Sequence, residues 1–248
     1  QLAPHCRRLV LVARREEELA LLRDRLQGEH SGLKVEVVNA DLTSAEAREE
    51  WIATVKEHDW APSLLVNNAG MGDYGEFLTG DWDKMEQMLS LNIIALTHLT
   101  HGFLPDMVQS GHGAVLNVSS LASLLPIPDF AVYAASKSYV TSFSEALRLE
   151  LIDHEIPVLT VCPGPVHTGF GEIADREGSL EESPVREWFF VSKEEVVLEA
   201  LLALQREQPR SYPGLKVSLI ATALATMPPG ILRYFMRNRP RAVPEEGD

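Results

Sequence analysis

The sequence predicts an α/β fold: a doubly wound, mostly parallel sheet with helices on both faces, forming a three-layer αβα sandwich in a single domain. Short apolar runs rich in β-branched residues alternate along the chain with longer helical segments, which is the pattern of βαβ units. The chain has 248 residues, enough for one such domain with a sizeable core. Polar residues and glycines follow several predicted strands, so they should gather at the edge where parallel sheets bind ligands.

The predicted elements follow in order along the chain. Strands are expected at 8–13, 34–38, 63–67, 114–118 and 157–161, and helices at 15–28, 43–58, 81–110, 133–153 and 192–208. Thr43 and Ser192 are predicted N-caps, because each is followed three residues later by a glutamate, as in a capping box. The segment that begins at Lys216 fits either a last short strand or the start of a helix.

Composition excludes several classes of protein. The formal net charge is −14, and no run of lysine or arginine occurs before the last residues, so nucleic acid is not an expected partner. With 45% apolar and 23% charged residues, the chain resembles a globular protein of the cytoplasm. Cys6 and Cys162 give no disulfide framework, which favours a reducing compartment. His98 and His101 have no further ligand-type residue nearby, so no metal site is predicted.

Tyr133 and Lys137 are the first candidates for chemistry. A spacing of four places both side chains on one face of a helix, one turn apart. A free phenol, with a pKa near ~10, is a poor acid or base at neutral pH, and a cation one turn away should lower that pKa. Ser120, thirteen residues upstream, offers a hydroxyl that could hold a carbonyl oxygen against the phenol. On its own the pair also fits an ordinary exposed helical pair.

Further polar residues end the predicted strands at the same edge of the sheet. They are Asp41, Asn67 to Gly70, Ser119 with Ser120, and Pro163 with Gly164. Ligands of open α/β sheets bind outside the carboxyl ends of the strands, so this edge is the expected functional site.

In this order the motifs resemble those of the short-chain dehydrogenase/reductase family, over nearly the whole chain. The matching segments are NNAG at 67–70, Asn92, the serine strand at 117–120, Tyr133 with Lys137, and the PG motif at 163–168. The family's serine lies thirteen residues before the tyrosine, which selects Ser120 over Ser119. The resemblance implies a Rossmann-like fold and an NAD(P)-dependent oxidoreductase acting on CH–OH groups.

The resemblance also implies a role for each catalytic residue. Tyr133 is the general acid when a carbonyl is reduced and the base in reverse. Lys137 lowers its pKa and holds the nicotinamide ribose, and Ser120 binds the substrate oxygen. Asn92 supports a water that links Lys137 to solvent. The hydride comes from the nicotinamide, since no side chain can donate one.

The cofactor should lie along the carboxyl edge of the sheet. The residues expected to contact it are Arg14, Asp41, Leu42, Asn68, Ala69, Gly70, Tyr133, Lys137, Pro163, Gly164, Val166 and Thr168. In NAD-preferring members of this fold an acidic residue follows the second strand. The strand at 8–13 takes that place in this chain, and it ends in Ala13-Arg14-Arg15. A guanidinium matches a phosphate, so NADP(H) is predicted over NAD(H), with Arg14 as the leading contact. The alternative is a solvated arginine pair at a helix start.

The family's Gly-rich loop, of the form TGxxxGIG, has no match in residues 1–13. Gln1 to His5 has the character of the end of a helix, and the chain does not begin with methionine. We therefore expect an N-terminally incomplete sequence in which the strands near Leu9 and Leu65 lack the neighbour that a central first strand would provide.

Two segments are expected to lie outside the motifs that the family shares. Residues 169–191 take the place of the family's variable substrate lid. The aromatic and aliphatic residues of this segment could wall an apolar pocket or only anchor the loop, and its middle is acidic. The apolar candidates are Phe170, Ile173, Trp188, Phe189 and Phe190; the acidic residues are Glu172, Asp175, Glu177, Glu181 and Glu182.

Residues 217–241 form an apolar segment that becomes basic. Prolines at 228 and 229 interrupt it, so a membrane span is not predicted. The arginines are interleaved with Tyr234, Phe235 and Met236; they are Arg233, Arg237, Arg239 and Arg241. This pattern is typical of a peripheral contact with an anionic membrane, and the competing interpretations are a subunit contact or a cover over the apolar pocket.

The leading hypothesis is an NADP(H)-dependent carbonyl reductase, or secondary alcohol dehydrogenase, for a small-to-medium apolar substrate. The partners expected are that small molecule and, as candidate assemblies, a homodimer or homotetramer. One alternative is a non-catalytic binding or scaffold protein that keeps the fold. An epimerase or dehydratase is disfavoured, because those enzymes usually carry a larger substrate domain.

Overall fold

The computed structural model of the chain describes residues 1–58, 60–176 and 190–238, with the backbone alone at 172 and 173. The strands are β1 (Arg8–Ala13), β2 (Lys34–Asn39), β3 (Leu65–Asn67), β4 (Val115–Val118), β5 (Val158–Val161) and β6 (Arg210–Ser211). The helices are α1 (Glu16–Glu29), α2 (Ala45–Glu57), α3 (Trp82–Leu89), α4 (Leu96–Ser110), α5 (Ala131–Glu150), α6 (Phe170–Ala174), α7 (Lys193–Gln205), α8 (Leu215–Thr226) and α9 (Pro229–Arg237).

All described strand pairs are parallel, as the alternation of strands and helices predicts. They form two sheets, β1-β2 and β3-β4-β5-β6. Within the described residues, β1 and β3 each have a strand neighbour on one side only. These are the strands around Leu9 and Leu65 that were expected to lack a partner.

Helices cover both faces of the larger sheet. Val115 and Val158 pack against α4 and α5, whereas Leu116 and Leu159 pack against α7. Adjacent residues of a strand point to opposite faces, so two apolar pairs in register bury both faces. The predicted three-layer arrangement is therefore confirmed around β4 and β5.

The two sheets share one apolar cluster. Trp51 and Phe103, on α2 and α4, lie at its centre with ring centroids 6.0 Å apart. Val10 of β1 and Leu65 of β3 both pack against this cluster. The same two helices thus hold the separate sheets together.

Some predicted bounds are wrong for identifiable reasons. The helix predicted to begin at Thr43 is capped instead by Ser44, which accepts a hydrogen bond from the Ala47 amide. Thr43 lies one residue before this cap, and its hydroxyl donates to Asp41. Ser192 caps α7 as predicted, accepting from the Glu195 amide. Lys216 lies in α8, which resolves the open choice in favour of a helix.

Two further differences concern the middle and end of the chain. The helix predicted over 81–110 contains a π-helical segment, Ser90–Ala95, between α3 and α4. The two-residue strand β6 was not predicted, because it is too short to show a period. No single helix in the described part of the chain is long and apolar enough to cross a membrane, although α8 and α9, bent by 116°, meet that length and composition test together.

Candidate active site

The hydroxyl groups of Tyr133 and Ser120 meet at the carboxyl edge of the sheet. Ser120 follows β4 and starts the short turn Leu121–Leu124, whose Ala122 amide donates to the serine Oγ at 3.1 Å. Tyr133 lies in the first turn of α5 and is 6% exposed. Its phenol lies close enough to the Ser120 side chain for that hydroxyl to lower its pKa. A carbonyl oxygen at this point would meet two hydroxyl groups.

The neighbouring serine has a different position. Ser119 is buried, donates from Oγ to the Lys137 carbonyl at 2.8 Å, and bonds to the Thr141 hydroxyl at 2.7 Å. It therefore joins β4 to α5. Of the two serines, Ser120 is the one placed against Tyr133, which is the choice that the thirteen-residue spacing makes.

Lys137 lies one helical turn beyond Tyr133, as its spacing predicts. Its Nζ donates to the Val118 carbonyl at 2.9 Å and lies 5.8 Å from the centroid of the tyrosine ring. Gly70 passes close by: a Cβ on this glycine would lie 3.3 Å from Nζ and 3.2 Å from Asn92 Oδ1. The backbone at the end of the NNAG segment is thus in close contact with both side chains.

Asn92 is held within the π-helical segment. Its Oδ1 accepts from the Met71 amide at 3.0 Å, and its Nδ2 donates to the Met71 carbonyl at 2.9 Å and to Ser136 Oγ at 3.0 Å. Ser136 donates to the Tyr133 carbonyl at 2.8 Å. π-Helical turns often occur at functional sites, where the extra residue redirects a side chain. Asn92 therefore connects the loop after β3 to the helix that carries Tyr133 and Lys137.

Burial dominates the proton affinities of the pair. Desolvation raises the pKa of Tyr133 to about 12, and the Ser120 side chain opposes this rise. Desolvation lowers the pKa of Lys137 to about 8. The sequence predicts that Lys137 lowers the phenol's pKa toward neutrality, and here the opposite direction is found. Both groups lie away from water, and the ammonium donates to Val118 rather than to the phenol.

The residues expected at the adenine end lie beyond β1 and β2. A backbone hydrogen bond from Thr43 lowers the pKa of Asp41; desolvation opposes this effect, while the Thr43 hydroxyl and the charge of Arg14 add to it. Arg14 is exposed at the end of β1. Leu42 differs from the others, since its side chain is buried in the core and its carbonyl accepts from Arg48. Only its backbone remains a candidate contact.

The remaining predicted cofactor residues follow β3 and β5. Asn68 and Ala69 are exposed, and Pro163, Gly164 and Val166 are half-buried. The Pro163 carbonyl accepts from the Leu121 amide at 2.9 Å, which ties the PG motif to the turn after Ser120. Thr168 is exposed, and its hydroxyl accepts from the Phe170 amide at 3.3 Å.

These positions fit the two ends of a nicotinamide dinucleotide. At one end, a Cβ on Gly70 would be in tight contact with Lys137 and Asn92, so the backbone passes close to both side chains. At the other end, Arg14 offers an exposed cation near Asp41. The residues present are consistent with the cofactor that the motifs imply.

An aromatic wall surrounds Tyr133. Phe130 stacks on the tyrosine ring at 4.2 Å between centroids, and Phe170 of α6 packs at 5.4 Å. Tyr74 packs edge-on against Phe130 at 5.5 Å. Phe170 thus packs on Tyr133 within the cluster that contains Met88 and Ala122, which fits both open interpretations of the lid. Phe190 instead stacks on His167 at 3.7 Å.

Several predicted lid and tail residues lie outside what the structure describes. They are Glu177, Glu181, Glu182, Trp188, Phe189, Arg239 and Arg241, together with the side chains of Glu172 and Ile173. His98, interpreted from the sequence as an ordinary helix residue, accepts from Arg48 Nε at 3.2 Å through Nδ1.

Sequence reasoning missed two polar connections. Asn67 donates from Nδ2 to Asn117 Oδ1 at 2.8 Å, and Asn117 donates to Ser144 Oγ at 2.9 Å, so β3, β4 and α5 share a buried network. Asp73 pairs with Arg176, 103 residues further along the chain. The asparagines at the ends of two strands were a usable signal for the first connection, whereas no local pattern indicates the second.

Comparison with known proteins agrees with this geometry. The family model described as short chain dehydrogenase matches residues 2–177. The chain is 34% identical over 170 residues to an uncharacterized oxidoreductase, YbbO, of Escherichia coli strain K12, covering 67% of this chain and 63% of that protein. It is 32% identical over 167 residues to a sulfoacetaldehyde reductase of Chromohalobacter salexigens, covering 65% and 64% respectively. The matches thus span less than two thirds of those relatives' lengths.

Solved structures of short-chain dehydrogenases also resemble this chain. A short-chain dehydrogenase from Sphingobium yanoikuyae in complex with NADPH aligns with a TM-score of 0.79 at 31% identity, covering 99% of this chain and 91% of the other. A bulky-bulky ketone specific alcohol dehydrogenase from Comamonas testosteroni aligns with a TM-score of 0.75 at 27% identity, covering 98% and 88%. The chain belongs to the short-chain dehydrogenase/reductase family, a family of NAD(P)-dependent oxidoreductases that act on CH–OH groups.

Proposed function

We propose that this protein reduces a carbonyl group, or oxidises the corresponding secondary alcohol, on a small-to-medium apolar substrate with NADP(H). The observation that carries the proposal is the placement of the Tyr133 phenol beside the Ser120 side chain, with Lys137 and Asn92 held nearby by hydrogen bonds to Val118 and Ser136. In the reductive direction Ser120 holds the carbonyl oxygen and Tyr133 gives it a proton. NADP(H), when bound, would supply the hydride.

Tyr133 carries the proton that the reductive direction requires. With its pKa raised to about 12 by burial, the phenol stays protonated at neutral pH. The phenolate left after proton transfer would be stabilised by the Lys137 ammonium one turn away. Asn92 would anchor the path by which the proton is replaced, through its contacts with Met71 and Ser136.

The aromatic wall supports an apolar substrate. Phe130 and Phe170 flank Tyr133, so a substrate that reaches the phenol contacts apolar rings. Similar proteins are named for varied substrates, including a 3-ketodihydrosphingosine reductase from Bacteroides thetaiotaomicron at 28% identity over 168 residues. A panel of ketones of increasing size, followed by NADPH absorbance, would test the proposal. Tight NADPH binding with no turnover of any ketone would favour the non-catalytic binding protein instead.

The preference for NADP(H) rests on Arg14. Arg15, its neighbour, forms an ion pair with Glu18 at 2.8 Å at the start of α1, as the solvated-pair alternative expects. Arg14 instead lies within electrostatic reach of Asp41, at the predicted adenine end. Arg14→Ala should lower the ratio of kcat/KM with NADPH to that with NADH by about tenfold, the size of one charge-assisted contact. Arg15→Ala is the matched control and should leave the ratio unchanged; equal ratios in both variants would disprove the assignment.

We further propose that α8 and α9 contact an anionic membrane surface. Leu219 on α8 is 64% exposed, and Tyr234 and Phe235 on α9 are 65% and 57% exposed. Although the whole chain carries a net charge of −14, residues 208–238 contain no acidic residue. The charged residues of α8 and α9 are Lys216, Arg233 and Arg237, all basic, which suits anionic lipid headgroups, while exposed aromatic rings suit the membrane interface.

Vesicle co-sedimentation would test this contact. The protein should pellet with vesicles of phosphatidylserine and phosphatidylcholine and stay in solution with phosphatidylcholine alone. Tyr234→Asp with Phe235→Asp should abolish pelleting, whereas Leu149→Asp, which changes an exposed leucine on α5, should not. If the double variant instead dissociates an oligomer in size-exclusion chromatography and still pellets, the segment is a subunit contact.

A further inference from the structure

Phe170 packs beside Tyr133, the proposed acid. Phe130 covers one side of the tyrosine ring, and the Phe170 ring lies 5.4 Å from it between centroids. Gly72 lies behind Phe170: a Cβ on this glycine would be 2.7 Å from the end of the phenylalanine ring. Tyr133 is 6% exposed with Phe170 in this position. Phe170 therefore occupies space beside the tyrosine ring.

Helix α6, which carries Phe170, has five residues and cannot be stable by itself. Its C-terminal end is joined to the loop after β3 by backbone contacts. The Tyr74 amide donates to the Ala174 carbonyl at 2.7 Å, and Tyr74 and Asp175 form a parallel bridge. These contacts join the C-terminal end of α6 to the body of the protein.

An ion pair lies at the same junction. Arg176 donates from Nε to Asp73 Oδ1 at 2.7 Å and from Nη2 to Asp73 Oδ2, so the contact is bidentate. Its Nη1 also donates to the Glu76 carbonyl at 3.0 Å. The Asp73 side chain is 2% exposed. A bidentate guanidinium–carboxylate contact at a largely buried carboxylate is strong and fixes orientation as well as distance.

Asp73 has a second cation that belongs to the body of the protein. Lys84 of α3 places Nζ 3.1 Å from Asp73 Oδ1. Burial alone would raise the pKa of Asp73, but hydrogen bonds from Arg176 and Lys84 lower it. Removing Arg176 therefore leaves the carboxylate paired with Lys84, and removing Lys84 leaves it paired with Arg176. The two cations differ in that Arg176 alone connects Asp73 to the lid.

We propose that the Asp73–Arg176 pair is a latch that holds α6 closed, with Phe170 against Tyr133, and so limits the size of the carbonyl substrate. Arg176 is a positioning residue in this scheme, because it acts on the site through Phe170. The inference about substrate size rests on the proposed role of Tyr133, whereas the inference about lid closure does not.

Amide hydrogen exchange in the intact protein tests lid closure without any substrate. In Arg176→Met, exchange of the Tyr74 amide should speed up at least tenfold, because its acceptor on Ala174 is released. Lys84→Met is the matched control, since it removes an equal charge from Asp73 and leaves the lid attached. Its Tyr74 amide should exchange at the wild-type rate, while both variants, which each remove one cation from the buried carboxylate, should lower the denaturation midpoint by similar amounts. No acceleration in Arg176→Met, or equal acceleration in both variants, would overturn the latch.

Kinetics with NADPH tests the effect on substrate size. Cyclohexanone serves as the small probe and benzophenone as the bulky one. In Arg176→Met the ratio of kcat/KM for benzophenone to that for cyclohexanone should rise at least fivefold, with no such change in Lys84→Met. Arg176→Lys should give an intermediate ratio, since one ammonium replaces a bidentate contact. An unchanged ratio in Arg176→Met would overturn the role in substrate size. If the wild type reduces neither ketone, the proposed function fails, and the exchange result still decides the latch.

Discussion

Lys137 donates a 2.9 Å hydrogen bond from Nζ to the carbonyl of Val118, the last residue of β4. The lysine is 5% exposed, and this contact joins α5 to the strand whose end carries Ser120. The ammonium therefore lies within the sheet edge and not in solvent, which is why desolvation lowers its pKa.

Replacing Tyr133 by phenylalanine should remove the acid and keep the wall. The ring would still stack on Phe130, so the free energy of unfolding should change by no more than about 1 kcal/mol for the lost hydroxyl group. The kcat/KM for ketone reduction should fall by about 10³-fold, the usual contribution of a general acid. Tyr139→Phe is the control, because Tyr139 lies farther along the same helix and its hydroxyl bonds to Thr97 of α4. A Tyr133→Phe protein that keeps a tenth or more of the activity would contradict the assignment.

The rate of reduction should depend on the protonation of Lys137. With its pKa lowered to about 8, the lysine is charged below that pH and neutral above it, whereas Tyr133 stays protonated up to about 12. The kcat/KM for NADPH, which reports on the free enzyme, should be level at lower pH and decline above pH ~8. Lys137→Arg should move any decline beyond the measurable range, because arginine does not lose its proton. Identical pH profiles for wild type and Lys137→Arg would exclude Lys137 as the titrating group.

Lys137→Met should abolish activity and increase stability at neutral pH. A shift from 10.5 to about 8 corresponds to a burial cost of about 3 kcal/mol for the charged form, against about 1 kcal/mol for the lost hydrogen bond to Val118. The variant should therefore gain about 2 kcal/mol in urea denaturation at pH 7. Between pH 8 and 10.5 the unfolded chain binds more protons, so wild-type stability rises with pH and the gain shrinks. A variant that is less stable than wild type at pH 7 would refute this explanation.

Gly70→Ala tests the close approach of the backbone to the site. The new Cβ would lie 3.2 Å from Asn92 Oδ1 and 3.3 Å from Lys137 Nζ, so these groups must shift by a few tenths of an ångström. Such a displacement should lower kcat/KM by about tenfold, since catalysis is sensitive to misplacement well below 1 Å. Gly28→Ala in α1, where no atom lies within 4 Å, should leave activity unchanged and add about 0.5–1 kcal/mol to stability. Equal activities of the two variants would show that the approach at Gly70 is unimportant.

Much of the fold could be predicted because local patterns report local structure. Alternating apolar runs predict the strands and the helix layers, and the four-residue spacing of Tyr133 and Lys137 places both on one helix face. The cap predicted at Thr43 is wrong by one residue, because the adjacent Ser44 accepts from the Ala47 amide. Two neighbouring hydroxyl residues both fit a capping pattern, and the pattern does not distinguish them.

Contacts between distant segments could not be predicted in the same way. The Asp73–Arg176 pair joins residues 103 positions apart, and Phe130 and Phe170 reach Tyr133 from two different segments. Neither contact has a period or a fixed spacing in the chain. They follow from how the loop after β3 and the segment after β5 fold against each other.

Spacing along helices and strands was enough to identify the residues that gather at the carboxyl edge and the serine that precedes Tyr133 at the right distance. Three features became visible only in the folded chain: two sheets share one helical core, Phe170 of α6 packs on Tyr133, and the pKa of the phenol rises while that of the ammonium falls. Packing and proton affinity depend on burial, and burial depends on every segment that surrounds a group.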